Sequence, residues 1–171
     1  MVLSKEELLE ALRHETQILV HLAGKADPSM HDYRPTKSQR SMFELLRYMA
    51  IMGPLQISLI KDDGFNGPAL RAAWSEGEKR SQEMTWDQAV EAIRAQADEY
   101  DRLLGDWTDA DWRGEIDMFG RRVSRGKTVV TLVLNAHAAY RTQLFCYLKA
   151  CGREELTTAN LWQGVDAAVP A

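Results

Sequence analysis

Apolar side chains recur every three or four residues through most of the chain, and the interruptions of that pattern mark out the elements. Ser4 followed by Glu7 has the spacing of a capping box, and Leu8, Leu12, Leu19 and Leu22 continue it, which predicts a first helix over residues 4–24. Pro28 and Pro35, with Asp, Ser and Tyr between them, make residues 26–37 a loop. From about Ser38, the residues Met42, Leu45, Leu46, Met49, Met52 and Gly53 share one face of a second helix, which Pro54 kinks or restarts over 55–61. Residues 62–68 read as a turn-rich break, and 69–84 as a short irregular helix weakened by Gly77. Thr85 and Gln88 form another capping box, opening a third long helix along Ala89, Ile93, Ala97, Tyr100 and Leu104 that Gly105 ends. A helical turn starts near Thr108, and residues 115–125, punctuated by glycines, form a short hairpin or a loop excursion. Residues 127–151 carry the longest uninterrupted pattern, stopped by Gly152, and 153–171 trail away through Leu161, Trp162 and Pro170 as an extended tail.

Four long amphipathic helices, no convincing sheet and no repeat give an all-α fold, a four-helix bundle. The 171 residues suit one domain, with its core over about 4–152. The long links after the first three helices allow crossover connections.

Two of the apolar faces carry charge at their centres. Glu15 lies within the face made by Leu8, Leu12, Ile18, Leu19 and Leu22, and the last helix holds His137 and Arg141 among Val130, Val133, Leu134, Leu144 and Leu148. Unpaired buried charge costs several kcal/mol, so these three residues are expected to form one hydrogen-bonded or ion-paired cluster inside the bundle. Tyr48 and Tyr140 flank their own apolar faces and can join it through their hydroxyls. One reading is a self-satisfied network that fixes helix register. Another is a pocket for a small anionic ligand, with Arg141 as the clamp and His137 as proton donor or acceptor. Metal binding is a third. His14, His21 and His31 read as surface or packing residues.

Composition changes this picture little. At 45% hydrophobic, 27% charged and a net charge of -4, the chain is an ordinary globular one. Arg121, Arg122, Arg125 and Lys127 cluster with only Phe119 as an aromatic neighbour, which reads as solvated charge and not as a nucleic-acid surface. No apolar run approaches the ~20 residues that cross a bilayer, and the chain opens on a helix start, so a cytoplasmic, membrane-free protein is expected. Cys146 and Cys151 point away from each other on one helix and read as small buried hydrophobes. Phosphate loops, Cys-x-x-Cys pairs, nucleophile elbows and His-Glu-x-x-His helices are absent from the sequence. The residues name no catalytic group.

The run 135–152, with His137, Tyr140, Arg141, Gln143 and a terminal Gly152, resembles the last bundle helix of the DinB-like superfamily, and 40–50 resembles the segment that supplies a further histidine there. Length and helix order agree over about 4–152. The resemblance implies the bundle, a central cavity and a homodimer, and in relatives a divalent metal held by one histidine of helix 2 and a pair on helix 4. In this sequence Tyr48 stands at the helix 2 position. Aligning Gln143 with the family glutamine puts Ala136 and Tyr140 at the paired histidines, whereas aligning His137 with the first histidine puts Arg141 at the second. Either register leaves at most one imidazole, and arginine stays protonated, so a metal-free protein is expected. A dimer through a helical face is also suggested by apolar residues that wrap around helix 2, among them Phe43, Ala50 and Ile57.

Overall fold

The computed structural model describes residues 3–65 and 67–167. The long elements are α1 (Lys5–Ala23), α2 (Met42–Lys61), α3 (Gly67–Gln82), α4 (Trp86–Leu104) and α7 (Asn135–Ala150). Short helices α5 (Asp109–Arg113), α6 (Arg125–Thr128) and α8 (Thr158–Gln163) fill in the rest. The capping boxes at Ser4/Glu7 and Thr85/Gln88 are both closed, and a third, Ser41 with Glu44, starts α2 three residues later than its apolar pattern suggested. Residues 115–125 are a hairpin: β1 (Glu115–Met118) pairs antiparallel with β2 (Arg121–Ser124), and a two-residue turn at Phe119 and Gly120 joins them.

The architecture is an all-α bundle of α1, α2, α4 and α7, with α7 extended at its start by a π-helical stretch, Val129–Leu134. Two apolar centres hold it together. Ile18, Leu22, Met42, Leu45, Ile93 and Leu148 belong to one, and Leu12, Ile57, Ile60, Tyr100, Leu104 and Val129 to the other.

Helix α2 is unbroken at Pro54, so the restart over 55–61 does not occur. Helix α3 is regular over 16 residues. Gly77 serves packing there: a Cβ would come 3.1 Å from Leu55 Cδ1 and 3.3 Å from Ile51 Cδ1. The apolar excess of α2 is thereby explained within the chain, because Ala50 and Ile57 are buried and α3 covers the side that α4 and α7 leave open. Nor is the tail extended. Leu156 and Asn160 are buried, and α8 lies along α1; residues 168–171 fall outside the described part. Cys146 is exposed on α7, and Cys151, at the C-cap of that helix, is half-buried against the apolar cluster, so neither is a fully buried core residue. Among the described residues no helix is long and apolar enough to cross a membrane.

Candidate functional site

The expected single cluster is divided between different partners. Glu15 on α1 and Arg141 on α7 form an ion pair, Oε2 to Nε 2.6 Å, with side chains only 10% and 4% exposed. The approach lies off the N–H direction, so it is a Coulombic contact more than a linear hydrogen bond. Arg141 also donates to the Leu161 carbonyl and stacks its guanidinium 4.5 Å from the Trp162 ring centre. Its donors are thus turned toward α8, and it works as the bolt between the bundle and the C-terminal segment. Burial raises the Glu15 pKa by more than Arg141 and His14 lower it.

His137 faces elsewhere. It is fully buried, with Nε2 2.5 Å from the Tyr100 hydroxyl, which donates to Gln96 Oε1 at 2.9 Å, while Gln96 Nε2 donates to the Met49 carbonyl at 2.8 Å. That carbonyl accepts only, which fixes the direction of the whole chain and makes Nε2 of His137 the protonated nitrogen. Nδ1 has no partner among the described residues. Burial lowers the His137 pKa to about 4, so the imidazole is neutral at ordinary pH. Gly53 makes this arrangement possible: a Cβ there would overlap the Tyr100 hydroxyl and lie 3.0 Å from its Cζ and 3.3 Å from His137 Cε1. Neither Gln96 nor Gly53 was singled out by pattern for this role, although a glycine on a helix face opposite a tyrosine is the available signal.

Tyr48 and Tyr140 meet each other instead of the charged pair. Their rings are edge to face with centres 5.2 Å apart, Trp74 of α3 stacks on Tyr48 at 5.8 Å, and the Arg40 guanidinium lies 4.0 Å over the same Tyr48 ring. Burial first, then Tyr140, pushes the Tyr48 hydroxyl up to about 12. It is a hydrogen-bond donor at neutral pH and not a base. Arg40 is itself positioned from α7, where Gln143 donates to the Tyr147 hydroxyl (2.5 Å) and that hydroxyl donates to the Arg40 carbonyl (3.1 Å). A cleft of about 440 Å³ opens between α2 and α3, lined by Arg40, Arg47, Tyr48, Glu78, Ser81 and Gln82. Arg47 spends two donors on the Met84 carbonyl, and Glu44 is held by its own cap and by Arg34. Arg40 makes no ion pair of its own among the described residues.

The other histidines serve packing. His14 donates to the Trp162 carbonyl, His21 accepts from Asn160, and His31 stacks on Trp86 at 3.9 Å. Phe43, Trp74 and Trp162 lie against Trp86, Tyr48 and Arg141 respectively.

No family model matches the chain, and no curated protein does. Among solved structures it is similar to the crystal structure of a DinB-like protein from Bacillus subtilis, with a TM-score of 0.66 at 18% identity, over 88% of this chain and 95% of that one. The likeness establishes the fold, which is DinB-like. Tyr48 of α2 and Tyr140 of α7, the two positions that one register of the resemblance aligns with histidines, stand side by side. The residues present do not fit a metal there: two neutral phenols offer no ready ligand set, and no group of three His, Cys, Asp or Glu gathers among the described residues.

Proposed function

We propose that this DinB-like chain works without a bound metal and binds a small anionic ligand, in the cleft beside Tyr48 and not against Arg141. One observation carries the reading: Tyr48 and Tyr140 meet beside a cleft lined by Arg40, whose guanidinium stacks on the Tyr48 ring and forms no ion pair among the described residues. The cleft has the volume of a small-molecule site. The Arg40 guanidinium is braced by the Tyr48 ring and its backbone carbonyl is held by the Tyr147 hydroxyl, and a guanidinium placed in this way suits a carboxylate or phosphate.

The chemistry favours holding over turnover. A hydroxyl with a pKa near 12 orients an anion by donating to it, but takes no proton at neutral pH, and the neutral imidazole of His137 is bonded to Tyr100. Arg141, for its part, is already committed to Glu15, Leu161 and Trp162.

A melting screen with acetate, malonate and inorganic phosphate tests the reading. A ligand at a hundred times its dissociation constant adds about 2.7 kcal/mol, which for a domain of this size is about 5–11 °C. At least one anion is expected to raise the melting temperature of the wild type and to lose that effect in Arg40→Ala. Equal shifts in both proteins, or none in either, would contradict the site.

A further inference from the structure

A second cavity shares no residue with the cleft beside Tyr48. It measures about 880 Å³ and opens where the first turn of α1, helix α5 and the α6–π junction converge. Its walls are mostly apolar, from Leu3, Leu8, Trp112 and Val130. Charge is confined to Lys5, Arg113, Lys127 and Asp109.

The balance of those charges is positive. Asp109 is taken by Arg113 at 3.1 Å, and Lys5 donates to the Gly105 carbonyl at 2.9 Å and has no ion pair among the described residues. Lys127 is exposed and has no ion pair among the described residues. A hollow of apolar walls closed by these two ammonium groups is complementary to a molecule with one apolar part and one anionic end.

The backbone supplies an independent observation. Val130 and Thr131 belong to the π-helical stretch Val129–Leu134, which is flanked by α-helix on both sides. Six residues in the wider turn are uncommon in an apolar run that would satisfy an α-helix equally well by sequence. Such segments occur frequently at functional sites. In this chain the π turns face the cavity through Val130 and Thr131 while Val129 and Val133 fill the core.

We propose that this cavity is a second binding site, taking an amphipathic anion: an aliphatic chain that ends in a carboxylate, tail against Leu3, Leu8, Trp112 and Val130, head between Lys5 and Lys127. The same chemistry is offered by a free fatty acid and by the acyl edge of an anionic membrane, and the two sources separate experimentally.

Titration calorimetry of the full chain with sodium decanoate is the test. Saturable binding of one decanoate is expected, with acetate and decyltrimethylammonium at least tenfold weaker, because one lacks the tail and the other reverses the head. Val130→Trp fills the hollow and Lys127→Glu inverts its rim, and each is expected to weaken decanoate at least tenfold. Lys127 is exposed, so its variant reads the site even if the tryptophan disturbs folding. Absence of saturable decanoate binding, or binding that Lys127→Glu leaves unchanged, overturns the proposal. So does co-sedimentation with phosphatidylglycerol vesicles without uptake of decanoate, which would assign the surface to a membrane.

Discussion

The two halves of the Glu15–Arg141 pair should respond unequally to removal. Breaking a buried ion pair from one side costs about 3–5 kcal/mol, because the remaining charge is stranded. Glu15→Leu leaves a guanidinium that still holds the Leu161 carbonyl and the Trp162 ring, so the loss should sit near the lower end, about 3 kcal/mol. Arg141→Met leaves the buried Glu15 carboxylate with only the weaker influence of His14 and unbolts α8, which puts it at about 5 kcal/mol. For a chain of this size these become falls in melting temperature of about 6–12 °C and 10–20 °C. The double variant strands nothing. Replacing both partners removes the desolvation of both charges together with their attraction, so it should recover most of the larger loss. What remains measures the α8 contact, about 1.5–3 kcal/mol for a hydrogen bond from a charged group. Thermal and urea unfolding followed by circular dichroism give all four corners of the cycle. Additive losses would refute the interaction, and a larger loss for Glu15→Leu than for Arg141→Met would refute the role given to α8.

Two further expectations concern the buried chain. Gly53→Ala gains about 1 kcal/mol of helix propensity but drives a methyl into Tyr100, so a net loss of about 2 kcal/mol or more is expected, and Tyr100→Phe should cost less in that background than in the wild type. Denaturant titration of the four proteins checks it; a stabilising Gly53→Ala would mean that the Tyr100 hydroxyl is not where the structure puts it. Because the folded pKa of His137 is lowered to about 4, the unfolded chain takes up its proton first, and stability should fall as pH drops from about 6.5 toward 4, by about 3 kcal/mol in all. The half-buried His21 and His31 are lowered too and add to the fall in the same direction, so the readout is the difference between wild type and His137→Gln, whose slope over that window should be shallower. Identical slopes would remove His137 as the cause.

Much of the bundle is legible in the sequence because helix ends are local chemistry. Ser4 with Glu7 and Thr85 with Gln88 declare their caps within four residues, and both caps are made. Ser41 with Glu44 has the same spacing but is preceded by polar residues that also suit a helix start, which blurred the beginning of α2. Burial of Glu15, His137 and Arg141 follows from helical period alone; their partners do not, because those depend on how helices cross. His137 and Arg141 are one turn apart on α7, yet one reaches α4 and the other α1 and α8. Gln96 escaped notice because a polar side chain beside Ala97 looks like the solvent edge of α4 until Met49 supplies a carbonyl. The π stretch is invisible for a different reason: Val129 to Leu134 is an apolar run with the same residue types in either helix. Helix α8 follows a glycine stop and is only six residues long, too short for periodicity to reveal.

The claim that an anion binds beside Tyr48 is tested most directly by carbon-13 labelling of the tyrosine rings and titration of the protein with inorganic phosphate and with acetate. Of the five tyrosines, Tyr48 and Tyr140 are expected to shift saturably with at least one of these anions, while Tyr100, sealed between Gln96 and His137, stays still. The shifts should vanish in Arg40→Ala. Unmoved Tyr48 and Tyr140 resonances in both titrations, or shifts that survive the loss of Arg40, would contradict the account.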